Sequence, residues 1–421
     1  MDRHMSENTE KTGKNDIDYP FVTLPGFKVG LQADEKTKIV SKGILAPVLG
    51  RKTAKEADFF DNRKYVAKAG KSPGLFDASE WTDADDSLIF STWMPPIPSP
   101  AYSRLVRSRM AGVFGKMNPE QMTISITEEC PNHCIHCALP DKRHHSKLTV
   151  EETKTIIDEA LDMGVTYVIF DGGEPLTYDG LEELISYVDP KRAIAGMFTS
   201  GVGMTPEKAQ ALKKAGLYSV TFSFDHASPE KHDLMRGKEG VFEAAVNGVR
   251  YALDEGLLVN IYNVLGPHNI GELDDLFSLA SDLGVHELSF YEIVPTGRWL
   301  NRPESVLSEK DHETFRAFLK KHENDISGKE NGPRLFPGPV IVSEMGCMAG
   351  RQWVHITPEG DILPCSCIPV VYGNTKSGKG SLRAAWKKIR SDRTYSKKQG
   401  CLMRDPEFRR RYIKLDRPAR R

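Results

Sequence analysis

The sequence has few cysteines, no excess of charge of either sign and no long apolar run. Its 57 Lys and Arg residues balance 58 Asp and Glu residues, for a formal net charge of −1. This excludes the strongly basic character typical of proteins that bind nucleic acid or anionic membranes by charge alone. No run of about 18 apolar residues predicts a transmembrane helix, and residues 1–18 lack the apolar centre of an export signal. We therefore expect a cytoplasmic protein with no nucleic-acid partner.

Cysteine is scarce, with 7 residues in 421, and its distribution argues against a disulfide framework. An odd number of clustered cysteines fits metal ligation in a reducing compartment better. Cys130, Cys134 and Cys137 lie in ITEECPNHCIHCALP with three and two residues between them. A 4Fe–4S cluster held by thiolates normally has four cysteine ligands. A loop with three would therefore leave one iron open to a ligand that is not protein.

A second motif follows an apolar run further along the chain. The segment VTYVIFDGGEPL ends in Gly172, Gly173, Glu174, Pro175 and a leucine. Glycine lets a backbone come close to a ligand, and the Glu174 carboxylate can accept a hydrogen bond from an ammonium group. Such a turn suits an amino-acid-like group beside the open iron.

From Met122 to about Trp299 the sequence repeats a short apolar run and then an amphipathic helix pattern. The predicted strands are ISIT, YVIF, AIAGMFT, SVTFSF, VNIYNVL and LSFYEIV. The predicted helices lie near Val150 to Met163, Leu181 to Val188, Pro206 to Ala215, Phe242 to Glu255 and Glu272 to Leu283. This alternation predicts parallel strands with right-handed helical crossovers. In barrel-like sheets the chemistry gathers at the carboxyl ends of the strands, where both motifs lie.

At these two motifs the sequence resembles the radical S-adenosylmethionine (SAM) enzymes, whose CxxxCxxC loop follows the first barrel strand and whose GGEP follows the second. The resemblance implies an α/β fold, a partial (β/α)6 TIM-like barrel. It implies that SAM binds the open iron and is cleaved reductively to methionine and a 5′-deoxyadenosyl radical, which removes hydrogen from an unactivated C–H bond. A low-potential donor, flavodoxin or ferredoxin, would supply the electron.

Smaller matches on later strands imply further contacts with SAM. FTSG resembles a Thr-Asn-Gly-like turn of the family, with Ser200 in place of the usual Asn. Ser223 and Asp225 lie at the end of the fourth strand, where the family uses a polar residue against the ribose or carboxylate of SAM. Arg236 lies in KHDLMRGKEGVF, which resembles a block often found next, and would pair with the SAM carboxylate. The alternative for Arg236 is a surface salt bridge.

His136 takes the position where the family usually has an aromatic residue near the adenine, and an imidazole can stack there too. An alternative is iron ligation, which His performs in Rieske centres. Asn263 and the segment Pro295 to Arg298 resemble the adenine and ribose wall. Tyr262, Tyr291 and Glu292 lie on predicted strands, and one that faces inward would either contact substrate or fill the barrel.

The remaining cysteines are Cys347, Cys365, Cys367 and Cys401, enough for one more cluster or one zinc site. WVHITPEGDILP predicts a hairpin, and a helix is predicted around Leu382 to Arg390. The stretch resembles the SPASM or twitch extension of radical SAM proteins, which implies one auxiliary 4Fe–4S cluster. Because one residue separates Cys365 from Cys367, either both bind or one does, and the cluster then keeps an open iron for substrate.

These patterns divide the chain into five regions. They are a disordered N-terminus at 1–18, an N-terminal extension of unassigned fold at 19–118, the radical SAM core at 119–305, a linker helix region at 306–340, and a β-hairpin and helix domain for the auxiliary cluster at 341–421. The extension is apolar and aromatic just before the core. It would cover the barrel, hold the substrate or serve as a packing extension.

The substrate is the widest question that the sequence leaves. We predict a biosynthetic small molecule, namely a tetrapyrrole, lipid or cofactor precursor, because the aromatic extension would supply an extra pocket wall. The alternatives among enzymes are a maturase that modifies a peptide or protein and a methyl transferase, although neither a winged-helix peptide-recognition element nor a cobalamin domain is recognisable. Outside the enzymes, the alternative is an iron-sulfur carrier or electron-transfer protein. The glycine turn and six-strand core argue against a carrier, which needs neither.

Overall fold

The computed structural model describes residues 19–24, 27–33, 37–42, 67–69, 87–113, 115, 117–139, 145–303, 305–322, 332–395, 400–413 and 419–420. The chain divides into two compact units, one up to Lys64 and one from Tyr65 onward. The disorder predicted for residues 1–18 lies outside the described residues. The described residues of the first unit form an antiparallel sheet of β1 (Tyr19–Leu24), β2 (Phe27–Ala33) and β3 (Thr37–Lys42).

The described residues of the second unit form a ten-stranded sheet and two small two-stranded pairs. One pair is antiparallel and consists of β4 (Ala67–Ala69) and β5 (Ser87–Ile89). The other is parallel and joins Val370–Val371 to Ala419–Arg420. The centre of the large sheet is β6 (Gln121–Thr127), β7 (Tyr167–Gly172), β8 (Ile194–Thr199), β9 (Ser219–Ser223), β10 (Leu258–Leu265) and β11 (Glu287–Glu292). These six strands are parallel and lie side by side in chain order. The six predicted strands and their parallel arrangement are confirmed.

Helices join these strands as predicted, with small differences at their ends. The helices up to β11 are α1 (Pro100–Val113), α2 (Val150–Met163), α3 (Leu181–Tyr187), α4 (Pro206–Lys214), α5 (Pro229–Arg236), α6 (Val241–Asp254) and α7 (Leu273–Leu283). Helices α1 and α5 were not predicted. None of the helices in the described ranges is long and apolar enough to cross a membrane.

Local chemistry sets the ends of the helices that position the site. Helix α2 starts with a capping box, in which Thr149 and Glu152 each accept a hydrogen bond from the other's backbone N–H. Helix α5 starts at the cap Ser228 and ends at Gly237, whose φ of 66° is left-handed. A Cβ on Gly237 would lie 2.4 Å from the carbonyl oxygen of His133. The end of α5 therefore lies directly against the loop of the first three cysteines.

The sheet extends beyond the six predicted strands on both sides. The remaining elements are α8 (Glu309–Lys321), β12 (Arg334–Pro337), α9 (Gly338–Met345), β13 (Trp353–Ile356), β14 (Asp361–Leu363), β15 (Val370–Val371), β16 (Gly373–Asn374), α10 (Ser381–Ser391), α11 (Pro406–Tyr412) and β17 (Ala419–Arg420). Strand β12 is parallel to β11, and β13 is parallel to β6. Strands β13 and β14 form the predicted hairpin, so the hairpin continues the core sheet.

Successive residues of the parallel strands face alternately toward the helices and toward the interior of the barrel. The outer face carries the main hydrophobic core, with buried residues such as Ile124, Phe170 and Val220. The inner face carries a second cluster that includes Ile169, Tyr218 and Leu258. The barrel therefore has an apolar layer between sheet and helices and a separate set of side chains inside.

Residues 87–99 of the predicted N-terminal extension close the interior of the barrel. The hydroxyl groups of Ser91 and Thr92 and the backbone N–H of Thr92 donate hydrogen bonds of 2.7 to 3.0 Å to the buried carboxylate of Glu287. The Tyr218 hydroxyl donates to the carbonyl oxygen of Met94 at 3.0 Å. Trp93, which lies between these contacts, enters the interior and touches rings from several strands.

Candidate active site

The loop after β6 carries Cys130, Cys134 and Cys137, all of them half-buried. Two backbone hydrogen bonds tie this loop to the end of α5. The N–H of His133 donates to the carbonyl of Arg236 at 3.0 Å, and that of Ile135 donates to the residue before Arg236 at 2.9 Å. The three predicted ligands thus lie on one short loop that is anchored to a helix end.

The two glycines of the second motif hold that motif against the start of the cysteine loop. A Cβ on Gly172 would lie 2.4 Å from the carbonyl oxygen of Thr127, and one on Gly173 would lie 2.0 Å from that of Glu129. The N–H groups of Gly173 and Glu174 donate to these same two carbonyls at 2.7 Å. We expected the glycines to admit a ligand, but the close approach is to the chain that leads into Cys130.

The Glu174 carboxylate points into the protein rather than into open space. It accepts hydrogen bonds from the Thr199 hydroxyl (2.7 Å), from the Ser200 hydroxyl (2.6 Å) and N–H (2.8 Å), and from the N–H of Leu176 (3.3 Å). Burial raises the pKa of Glu174, and these donors lower it in part. The expected contact between this carboxylate and an ammonium group has to compete with four donors. Ser200, likewise, turns both of its polar groups toward Glu174.

Arg236 lies in a buried ion pair beside the first cysteines. Its Nε is 2.7 Å from the Asp225 carboxylate, and its Nη1 is 4.0 Å from the sulfur of Cys134. His136 Nε2 is 3.3 Å from the other oxygen of Asp225. Burial alone would raise the pKa of Asp225, but Arg236 and the nearby histidines hold it at about 2. Burial also lowers the pKa of His136 and thus favours its neutral form.

The segment Pro295 to Arg298 contacts both sets of cysteines. The Arg298 N–H donates to the carbonyl oxygen of Cys137 at 3.0 Å, and its guanidinium donates to that of Cys134 at 2.9 Å. On the other side, the Thr296 hydroxyl donates to the carbonyl oxygen of Cys367 at 2.9 Å. The segment predicted as part of a ribose wall therefore joins the two cysteine regions through the backbone.

The second cysteine set comes together from three separate parts of the chain. Cys347 and Cys401 are neighbours, and the Cys401 thiol lowers the pKa of Cys347 to about 7. Cys365 and Cys367 are also neighbours, and the N–H of Cys367 is 3.5 Å from the sulfur of Cys365. Across the described ranges, no three His, Cys, Asp or Glu side chains surround a point that could hold a single metal ion.

Four further residues singled out from the sequence lie at different places around the barrel and have different partners. Pro175 is buried and opens a short 3-10 turn, Pro175–Thr177. Ser223 is half-buried at the end of β9, opposite Tyr262 in the sheet register. Asn263 is buried, and its amide donates to the carbonyls of Phe224 (2.8 Å) and Asp225 (3.1 Å), which fixes the turn after β9. Glu292 faces away from the interior and pairs with Arg404.

Sequence reasoning missed most of the barrel interior. Five half-buried rings meet there, from Trp93, Phe198, Tyr262, Tyr291 and Phe336. Of these, the two tyrosines were candidates and the other three were not. The available signal was strand alternation, which places Phe198 and Phe336 on inward positions; nothing local could place Trp93.

A polar row on the opposite inner wall was missed as well. The Ser125 hydroxyl donates to Asp171 at 2.7 Å and lies 3.4 Å from Nε2 of His355. Burial raises the pKa of Asp171 to about 6 and lowers that of His355 to about 4. These residues come from β7, β6 and β13, so their meeting depends on a pairing between distant segments.

Comparison with known proteins agrees with this geometry. The sequence profile of the Radical SAM superfamily matches residues 124–280, which include the cysteine loop and the glycine turn. This match and the enzymatic names of the relatives described below support an enzyme of the radical SAM class, a family that implies SAM and a 4Fe–4S cluster.

The relatives of this chain, and the proteins whose solved structures resemble it, have names that point to different substrates. An AdoMet-dependent heme synthase of Nitratidesulfovibrio vulgaris is 27% identical over 274 residues, which cover 60% of this chain and 75% of the relative. A PqqA peptide cyclase of Streptomyces rochei is 29% identical over 265 residues, which cover 61% and 71%. The structure of Streptococcus suis SuiB bound to its precursor peptide SuiA has a TM-score of 0.57 at 14% identity, over 75% of this chain and 79% of SuiB. SuiB therefore shares the fold.

Proposed function

We propose that this enzyme cleaves SAM reductively at a cluster held by Cys130, Cys134 and Cys137 and removes a hydrogen atom from a small biosynthetic molecule of the tetrapyrrole class. The observation that carries the proposal is the direct contact between the cysteine loop and the glycine turn at the carboxyl ends of β6 and β7. The contact places the three thiols and the predicted SAM-binding turn above the barrel interior.

The residues of the first loop fit a 4Fe–4S cluster. Three thiols on one anchored loop supply the soft ligands that iron-sulfur clusters take, and they leave one iron for SAM. Burial raises the pKa of the Cys134 thiol, while the adjacent Arg236 lowers it in part. Arg236 thus favours the thiolate that binds iron, and its ion pair with Asp225 fixes its position.

Of the residues predicted to bind SAM, some are expected to touch SAM and others hold the turn in place. Glu174 and Ser200 support the turn, because their polar groups bind each other. The amino group of SAM is therefore expected against the backbone of the turn at Gly172 and Gly173. Ser223 and His136 lie further round the same end of the barrel and remain candidates for the ribose and adenine.

Held by Cys130, Cys134 and Cys137, a 4Fe–4S cluster would supply the single electron for reductive cleavage of SAM, which is the source of the hydrogen-abstracting radical. The protein's own part is to bind, orient and exclude water. Arg236 is the charged candidate for the SAM carboxylate. Its Nε is engaged with Asp225, so such a contact would use its other nitrogens. Trp93 and its neighbours close the lower end of the barrel, so that solvent and substrate enter from the end that carries the cysteines.

An auxiliary 4Fe–4S cluster at Cys347, Cys365, Cys367 and Cys401 completes the proposal. Its support is the gathering of four thiols beside the barrel mouth, next to Thr296 and the first loop. At this position the cluster would take an electron from the substrate radical or anchor the substrate. Since only Ser366 separates Cys365 from Cys367, one of the two serves as a ligand if the cluster keeps an open iron.

A tetrapyrrole-class substrate is supported by the relatives and by the interior of the barrel. The heme synthase named above acts, by its name, on such a molecule. The interior is lined by rings and is closed below by residues 87–99. A closed-ended aromatic cavity suits a compact flat molecule better than a running chain.

A peptide substrate is the second candidate, favoured by two comparisons. The chain has a peptide cyclase among its relatives and the fold of a structure bound to a precursor peptide. A peptide would insert one side chain into the interior from the open end.

The test is anaerobic reconstitution with iron and sulfide, followed by addition of SAM and dithionite and measurement of 5′-deoxyadenosine by chromatography. Wild type should form 5′-deoxyadenosine, and a Cys130→Ala/Cys134→Ala/Cys137→Ala variant should form none. The matched control is Cys347→Ala/Cys401→Ala, which should still cleave SAM. Absence of 5′-deoxyadenosine from a wild-type protein that has bound iron would overturn the proposal and leave the electron-transfer alternative.

A further inference from the structure

An ion pair and a histidine meet outside the barrel, where β11 ends and α8 begins. Glu292, the last residue of β11, contacts Arg404 directly through Oε1 and Nη1. Nε2 of His312, on α8, is 3.2 Å from the same Nη1 and 3.5 Å from the same Oε1. The other guanidinium nitrogen of Arg404, Nη2, donates to the carbonyl oxygen of Leu307 at 3.0 Å. Arg404 is therefore held by a strand end, by a helix and by the loop before that helix.

The protonation of these groups depends on burial. Burial and the charge of Arg404 lower the pKa of His312, so that its neutral ring accepts from the guanidinium. The other charged residues that act on His312 all lie on α8 and are Glu309, Asp311 and Arg316. Burial raises the pKa of Glu292 to about 7, although the charge of Arg404 lowers it in part. The ion pair is therefore complete only above about pH 7.

Stability does not explain this pair. A pKa above the ordinary value in the folded protein means that burial disfavours the Glu292 carboxylate more than Arg404 favours it. Buried pairs are often no more stable than apolar residues of the same size, and in some proteins their role is to fix one geometry. The role of this pair therefore depends on what Arg404 positions.

The short turn that ends at Arg404 begins at Cys401. The N–H of Arg404 donates to the carbonyl oxygen of Cys401 at 3.1 Å across one 3-10 turn. The two residues between them are buried, which holds the turn against the core but does not fix its direction. On the other arm, the guanidinium of Arg351 donates to the carbonyl oxygen of Cys347 at 3.2 Å. Each of these two neighbouring thiols thus has an arginine bound to its own backbone.

We infer that Arg404 is a positioning residue of the second cysteine set and that, clamped by Glu292 and His312, it holds the Cys401 thiol against that of Cys347. The inference rests on the proposed function, in which these thiols bind the auxiliary cluster, and deepens it. The clamp closes as Glu292 loses its proton. The second set should therefore hold iron more tightly at pH 8 than at pH 6.

The end of β11 then holds two arms of the second set. Thr296, four residues after Glu292, binds the carbonyl oxygen of Cys367, and Glu292 itself binds the arginine of the Cys401 turn. One strand end therefore fixes the place of the second set relative to the barrel.

The test uses the Cys130→Ala/Cys134→Ala/Cys137→Ala protein as the parent, so that all bound iron belongs to the second set. After anaerobic reconstitution, a chelator is added and the release of iron is followed at pH 8 and at pH 6. At pH 8, Arg404→Met should release iron about tenfold faster than the parent. Glu292→Gln should also release iron faster at pH 8 but match the parent at pH 6, where Glu292 is already uncharged. Arg410→Met, on the exposed face of α11, is the matched control and should match the parent at both pH values.

A measurement of stability separates positioning from a merely structural role. Glu292→Leu/Arg404→Met replaces the pair by apolar side chains, so before reconstitution it should melt at no lower a temperature than the parent at pH 8. The same variant should release iron about tenfold faster. Release at the parent rate from this variant or from Arg404→Met would overturn the inference. A melting temperature that falls together with iron retention would also overturn it.

Cross-linking of thiols tests the inference without iron. The parent with Cys365→Ala/Cys367→Ala retains Cys347 and Cys401, and dibromobimane becomes fluorescent when it joins two neighbouring thiols. At pH 8, Arg404→Met should slow this cross-link about tenfold, and Arg410→Met should not. A parent that binds no iron but shows this difference would contradict the auxiliary cluster and support the positioning role. Iron binding without the difference would overturn the positioning role and leave the cluster standing.

Discussion

Thr296 donates a hydrogen bond of 2.9 Å to the carbonyl oxygen of Cys367, only two residues before Arg298 binds the carbonyl oxygens of Cys134 and Cys137. One short segment after β11 therefore holds both cysteine regions. Any shift of this segment would move the two sets of thiols relative to each other. The segment was expected to line the SAM ribose, and its contacts with the cysteine backbones add a positioning role.

We predict that Thr296→Val loosens the second cysteine set and leaves the first intact. The substitution keeps the shape of the side chain but removes the donor to Cys367, and outer contacts of this kind change metal affinity by about tenfold or more. A chelator should therefore remove iron from the second site about tenfold faster than in wild type. Thr314→Val, on the exposed face of α8, is the control. Equal rates in both variants would refute the positioning role.

Replacement of Glu174 should destabilise the protein because the buried groups that donate hydrogen bonds to its carboxylate would have no acceptor. In Glu174→Leu the Thr199 hydroxyl and both donors of Ser200 lose their acceptor in a buried place. Unsatisfied buried donors cost about 1 to 3 kcal/mol each, so we expect a loss of about 3 kcal/mol or more in the free energy of unfolding. Denaturant titration measures it, with Glu313→Leu on the exposed face of α8 as the control. A loss equal to that of the control would show that the carboxylate is dispensable.

The ion pair between Arg236 and Asp225 should be far more sensitive to substitution than a surface pair. Arg236→Met leaves the Asp225 carboxylate buried beside neutral His136, and loss of one partner of a buried pair costs about 3 to 5 kcal/mol. Arg316→Met, which breaks an exposed pair with Glu309, should change stability far less, because exposed ion pairs contribute little. Thermal unfolding of the two variants compares these costs.

The double variant Arg236→Met/Asp225→Asn should be more stable than Arg236→Met alone, because no uncompensated charge remains. If the double variant were less stable than Arg236→Met, the uncompensated charge of Asp225 would not explain the destabilisation by Arg236→Met.

The raised pKa of Asp171 predicts that the stability of the protein depends on pH. Its pKa of about 6 in the folded protein lies above its ordinary value, so the folded state holds a proton that the unfolded state has released. Protonated Asp171 makes its full contribution to the free energy of unfolding below about pH 4. That contribution falls as the pH rises to about 6, by up to about 3 kcal/mol. Asp171→Asn should remove this decline. The difference in melting temperature between variant and wild type should therefore be larger at pH 7 than at pH 4.5, and a constant difference would exclude this linkage.

The parallel core was predictable from sequence because its signals are local. Strands such as β7 and helices such as α2 combine apolar periodicity with clear ends, as in the Thr149 cap and Gly164. Three cysteines and a glycine turn in fixed order also identify the site without any structure. Helix α5 was missed because its short polar sequence, PEKHDLMR, has weak periodicity and is fixed mainly by its Ser228 cap and its packing.

The features that sequence could not reveal depend on distant contacts. Strand β13 pairs with β6 although more than two hundred residues separate them in the chain, and that pairing alone brings His355 to Ser125. Trp93 enters the barrel because Glu287 accepts from Ser91 and Thr92, a long-range contact with no local pattern. Glu174 was expected to face a ligand, but its four donors come from Thr199 at the end of β8, from the next residue, Ser200, and from the turn itself.

The most direct test of the central claim is electron paramagnetic resonance of a variant that retains the first three cysteines and has Ala at Cys347, Cys365, Cys367 and Cys401. Reduced with dithionite, this variant should contain about four irons per chain and give the signal of one cluster. Addition of SAM should change that signal, because SAM binds the iron that has no cysteine ligand. An unchanged signal would contradict the claim that Cys130, Cys134 and Cys137 hold an open cluster for SAM.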